Sequence, residues 1–252
     1  MKKVNFKIFS LLVVLSFLTL ASLNSSFGQS YEVGGGLGTS VYSGDIIRKI
    51  DPGQAGLQGT LFGKRNFDNV WSLKLGVSVA QLMAADSIQP IDAMASLRNA
   101  YVDGRITEFS ALMEFNFLDY VNHKSEFKFS PYAFFGLGYS FVQGEGRINA
   151  SLPAEDYHFN TLVIPFGGGV KYLLSNQLTL GMELGFRPTT SDLLDKLDST
   201  LPALARYNTP IDPTSQPLAK GMNYGNPNTK DWYYFLGVTL SYTLTKARCY
   251  TY

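Results

Sequence analysis

Seven ionisable residues lie in segments that alternate between bulky apolar and small side chains. In the stretch 170–187, VKYLLSNQLTLGMELGFR, apolar residues fill the even positions from Leu178 to Phe186, while Glu183 and Arg187 occupy odd positions. A period of two is that of a β-strand with two unlike faces. The charged residues that share the small-residue face of such segments are Glu32, Lys74, Glu108, Glu114, Lys171, Glu183 and Arg187.

These charges predict one of two arrangements inside a β-structure. Unpaired charges that are removed from water carry a large desolvation cost, so the seven must pair with one another or with trapped water. One arrangement is a network of salt bridges that fills a narrow lumen. The other is a path for protons or ions through that lumen, which a small diameter disfavours.

Little in the sequence suggests catalysis. The two histidines, His123 and His158, fall in predicted connections, and the chain has neither a G-x-S-x-G motif nor a cluster of metal ligands. The glycine runs 34–38 and 166–169 lie inside predicted strands, so they are not phosphate loops. We therefore expect no catalytic residue, no metal and no cofactor. Cys249 is the only cysteine, which excludes an internal disulfide and leaves either an incidental thiol or a link to a partner.

The N-terminus has the pattern of a secretory signal peptide over residues 1–28. Three lysines precede an apolar stretch from Ile8 to Leu23, and Ser26 and Gly28 provide the small residues of a cleavage site. Removal of three lysines and no acid changes the formal charge from +1 to about −2. Such a near-neutral chain gives no electrostatic reason to bind nucleic acid.

Residues 29–252 are predicted to form one barrel domain. Each alternating segment is long enough to cross a bilayer as a tilted strand, which takes roughly 9–11 residues. Longer connections alternate with short ones, so one end should carry the elaborate loops, including a loop over 190–230 with a short helix from Ser191. A short tail follows at 246–252. The predicted segments are 31–43, 54–65, 70–82, 105–118, 128–143, 161–174, 177–189 and 231–245.

The size of the residues on each face indicates which one points outward. The polar face is mostly Gly, Ser, Thr and Ala, which suits the crowded interior of an eight-stranded barrel. Aromatic residues near strand ends, such as Tyr31, Trp71, Trp232 and Tyr242, suit the interfaces of a membrane. The sequence therefore predicts an all-β, eight-stranded antiparallel up-and-down transmembrane β-barrel.

Several segments of the chain, which occur in the same order as in the family, resemble the PorG-type outer-membrane barrel proteins of Bacteroidetes. These proteins are associated with the type IX secretion system. The most specific are GFRPTTSDLLD within 164–195 and DWYYFLGVTLSYT within 226–244. The further matching segments are 31–46, 106–120 and 130–141.

The resemblance implies a non-enzymatic accessory of protein secretion and gliding machinery, placed in the outer membrane. Its expected partners are outer-membrane lipids and periplasmic ring proteins of the PorK and PorN types. Two alternatives are a small outer-membrane enzyme, for which His158 is the candidate histidine near the outer rim, and a ligand-binding barrel with its site in the outer loops.

Overall fold

The computed structural model describes residues 30–43, 52–88, 99–120, 127–147, 154–190, 194 and 231–244. The predicted signal peptide, His123, Cys249 and the tail 246–252 lie outside these residues. So does the 190–230 loop apart from Thr190 and Leu194, together with most of the helix expected from Ser191.

Nine β-strands account for most of the described chain. A three-residue 3₁₀ helix, Pro52–Gln54, follows the first strand, and no helix among the described residues is long and apolar enough to cross a membrane. The strands are β1 Ser30–Ser43, β2 Gly56–Asn66, β3 Trp71–Ala85, β4 Tyr101–Asn116, β5 Phe129–Arg147, β6 Glu155–Val163, β7 Phe166–Leu173, β8 Leu178–Pro188 and β9 Trp232–Thr243.

Eight of these strands close into a ring in which every pairing is antiparallel. Neighbours along the chain pair with each other, β5 pairs with β7, and β9 pairs with β1 to complete the cylinder. Closure satisfies the backbone hydrogen bonds of both edges, which a strand exposed to lipid requires. The prediction of an all-β, eight-stranded up-and-down barrel is confirmed.

Strand β6 extends β7 along the same neighbour, so the predicted segment 161–174 is one barrel strand with a break. Val163 pairs with Gly138 and Phe166 with Phe135, which keeps the register with β5 unchanged across the break. The break falls at Pro165, which has no N–H to donate to a ladder. Its carbonyl still accepts a hydrogen bond of 2.8 Å from the Gly136 N–H.

Strands β3 to β6 are longer than their apolar alternation predicts. Residues expected in the connections 84–104 and 144–160 instead continue the ladders, up to the pairs Ala85 with Tyr101 and Gly146 with Glu155. Polar residues such as Asp103 and Glu145 face outward there, which ended the apolar pattern in the sequence. The prediction that His158 lies in a connection was therefore wrong, because His158 lies in β6.

The barrel is apolar outside and polar inside. Leu37, Leu57 and Leu61 are each more than 70% exposed on the outer wall, whereas Glu108 and Glu114 inside are at most 1% exposed. This distribution is the reverse of that in a water-soluble domain and is the one that a surrounding hydrocarbon phase favours. We call the end with the turns 67–70 and 174–177 the short-turn end, and the opposite end the long-loop end.

Candidate functional site: the charged interior of the barrel

Glu114 is the centre of a cluster of charges in the short-turn half of the interior. Its carboxylate accepts from the Lys171 ammonium at 2.6 Å and from the Lys74 ammonium at 3.2 Å, and the Lys64 ammonium lies 3.6 Å away. These four residues come from β4, β7, β3 and β2. Each is at an inward position of its strand, so closure of the ring brings them to one place.

Two further carboxylates complete this short-turn cluster. Glu32 lies 2.9 Å from the Lys64 ammonium, and Glu183 lies 2.5 Å from that of Lys74. Neutral groups also hydrogen-bond to these charges: the Asn66 amide and the Ser241 hydroxyl donate to Glu32, the Tyr132 hydroxyl donates to Glu183, and the Asn116 amide oxygen accepts from Lys171. Such additional hydrogen bonds are what a buried ion pair needs to offset its desolvation.

A second charged pair lies towards the long-loop end. The Arg187 Nε is 3.2 Å from a Glu108 carboxylate oxygen, which also accepts from the Tyr233 hydroxyl at 2.6 Å. The Tyr233 oxygen is in turn 2.8 Å from that of Ser140. The Arg187 guanidinium lies 4.0 Å from the centre of the Phe235 ring, a cation–π contact that covers its face.

Apolar side chains surround both charged groups. Leu112, Tyr132 and Phe134 form a buried cluster beside the short-turn charges, and the centres of the Phe62 and Phe134 rings lie 5.2 and 5.5 Å from the Lys74 ammonium. A larger apolar core closes the long-loop end. Its members are Tyr42, Ala80, Leu82, Ala84, Ala100, Val102, Ile106, Val142, Val163, Leu194, Tyr233 and Phe235.

Both ends of the interior are covered by residues outside the strands. At the long-loop end, the buried Asp231 carboxylate accepts from the Tyr42 hydroxyl and from the Leu194 N–H, each at 2.9 Å, which holds the beginning of the long loop over the core. At the short-turn end Tyr120 is only 2% exposed, and burial raises the pKa of its phenol.

The seven charges expected in the lumen all lie on the inward face, and the structure brings them into the two groups described above. Glu183 is half-buried, and the other six are buried. Lys64 belongs to the short-turn cluster but was missing from the prediction. The signal was present, because Gln58, Thr60 and Phe62 place Lys64 on the inward face of β2. Charge balance also required it: with Lys64 the two groups contain four carboxylates and four cations.

The geometry supports a structural role for the charges. Each of the eight contacts at least one opposite charge. No group of three potential metal ligands occurs within the part of the chain that the structure describes. His158 is exposed on the outward face of β6, where it pairs with Gln143 and forms no side-chain hydrogen bond to any described residue.

Comparison with known proteins agrees with this fold. Neisserial surface protein A is 9% identical with a TM-score of 0.51, and the match covers 86% of this chain and 99% of that one. A major outer membrane protein from Thermus thermophilus is 14% identical with a TM-score of 0.50, over 86% of this chain and 99% of that one. At such identities the likeness shows the fold alone.

Family membership rests on a longer match. No curated protein matches the chain. One family model, described as a domain of unknown function (DUF6089), matches residues 7–252. The chain therefore belongs to the DUF6089 family and has the barrel fold of outer-membrane proteins.

Proposed function

We propose that this protein is an outer-membrane barrel that anchors a type IX-like secretion machine and has no enzymatic activity of its own. The observation that carries the proposal is the filled interior. Salt bridges and apolar side chains occupy the lumen, and both ends are covered, so the barrel has no room to pass a folded or unfolded substrate. A barrel of this kind acts through its ends and its wall.

The exposed apolar wall supports location in a bilayer. Its outward residues are mainly Leu, Val and Phe along the strands, with Tyr31, Trp71 and Tyr242 near the short-turn end. This order matches an apolar band bounded by an aromatic girdle. Outer-membrane lipids are therefore the proposed surroundings of the wall.

The partner side of the proposal rests on the resemblance to PorG-type proteins. Short turns face the periplasm in outer-membrane barrels, so the turns 67–70 and 174–177 are the proposed contacts for ring proteins of the PorK and PorN types. The tail with Cys249 would follow β9 at the same end.

Site-specific crosslinking in cells tests this proposal. A photoreactive residue at Asn176, exposed in the second short turn, should crosslink to the periplasmic ring proteins. The same residue at Ile88, exposed at the long-loop end, is the matched control and should not. Crosslinks from Ile88 alone would reverse the orientation, and a deletion strain that secretes normally would remove the secretion role.

A further inference from the structure

A small cavity with polar and apolar lining lies between the two charged groups of the interior. Its volume is about 20 Å³. Glu183 and Lys74 of the short-turn cluster line one side, and Arg187 of the second pair lines the other. The remaining polar lining comes from Gln58, Thr60, Ser78, Ser110 and Thr239.

One buried polar atom beside this cavity lacks a partner, and further polar side chains of the lining form no side-chain hydrogen bond to the described protein. The Arg187 side chain is 4% exposed, and its Nη1 has no hydrogen-bond partner. Within the described part of the chain, no side-chain hydrogen bond is formed by Gln58, which is 7% exposed, or by Ser110 and Thr239. An unpaired buried polar group is costly, so the Arg187 Nη1 beside a cavity with further polar lining indicates an additional hydrogen-bonding partner there.

We infer that this cavity is a binding site for water, and that the bound water joins the two charged groups into one hydrogen-bonded network. The volume exceeds the roughly 10–15 Å³ that one water molecule needs, and the site offers more than the two to four polar partners that a buried water takes. A neutral occupant fits because four carboxylates already balance four cations. A halide would leave one uncompensated negative charge in a low-dielectric interior.

The assignment has a structural consequence. Arg187 donates to Glu108 through Nε and would donate to the water through Nη1, while the water would also contact Glu183 or its neighbours. The polar interior would then be continuous from Glu32 near the short-turn end to Ser140 near the long-loop end.

Nuclear magnetic resonance of the full chain folded in detergent micelles tests the site. Long-lived water should give cross-relaxation peaks to the Arg187 side-chain N–H groups and to the amide of Gly237, which also lines the cavity. Thr239→Val keeps the volume but removes a hydroxyl from the cavity, and should weaken or abolish these peaks. Thr179→Val is the matched control, because Thr179 is buried on the inward face of β8 but does not line the cavity; its peaks should be those of the wild type.

Two results would overturn the inference. One is the absence of water peaks in the folded wild-type protein, which would mean a dry cavity. The other is a saturable shift of the Arg187 and Gly237 signals on titration with bromide, which would make the occupant an anion. Both readouts are independent of secretion, so they do not depend on the proposed function.

Discussion

Glu114 has more ionic contacts than any other described residue of the interior. Glu114 contacts three lysines and is 1% exposed. If its charge were removed, bulk water could therefore not take over its contacts with the three ammonium groups. Its neighbour Ser72, on the adjacent strand β3, is equally buried, but its hydroxyl has no hydrogen-bond partner. Substitutions at these two residues therefore distinguish the contribution of charge pairing to stability from the contribution of burial alone.

We predict that Glu114→Gln destabilises the barrel by about 3–5 kcal/mol, because three buried ammonium groups would then share two carboxylates. Ser72→Ala should change stability by less than about 1 kcal/mol, since it removes a hydroxyl that bonds to nothing. Urea unfolding in detergent, followed by the fluorescence of Trp71 and Trp232, measures both. A Glu114→Gln variant as stable as Ser72→Ala would mean that the network does not stabilise the fold.

At the scale of a strand, the glycine run of β7 permits close approach to β8. A Cβ added to Gly169 would lie 2.0 Å from the backbone carbonyl oxygen of Met182, in the strand that pairs with it. Backbone cannot yield as a flexible side chain can. The inward face of β7 therefore needs glycine at this position for the ladder to form.

Gly169→Ala should accordingly prevent or greatly slow folding into detergent, because the new methyl group separates β7 from β8. Gly63→Ala is the control: Gly63 lies on the outer wall of β2, and a Cβ there meets nothing within 4 Å. It should fold as the wild type does, or be slightly more stable. The fraction of chain that resists protease after dilution from urea measures folding. Equal yields of the two variants would contradict the packing argument.

At the scale of the whole molecule, the closed ring and its filled lumen predict a barrel without a pore. The full chain, reconstituted into a planar lipid bilayer, should show no steady conductance, because paired charges and the apolar core block the lumen. Slower or faster gel migration of the unheated protein, compared with the boiled protein, would verify that the barrel is folded. Discrete single-channel currents from folded protein would show that the interior opens.

Much of this architecture follows from local pattern. The period of two identifies the strands, and the small residues opposite the bulky ones indicate which face is inward, since both depend only on neighbours along the chain. The ends of strands β3 to β6 could not be predicted from this pattern. The apolar alternation stops where the outer face meets polar surroundings, whereas the strand pairing continues beyond that point.

The sequence by itself determined the barrel, its outward apolar face and the inward position of seven charges. Only the tertiary structure decided which charges meet. Glu114 lies 40 or more residues from each of the three lysines that it contacts, and their distances depend on strand register and on the pairing of β9 with β1. The fourth cation, Lys64, and the polar cavity beside Arg187 were decided in the same way, because they exist only where the closed ring brings several strands together.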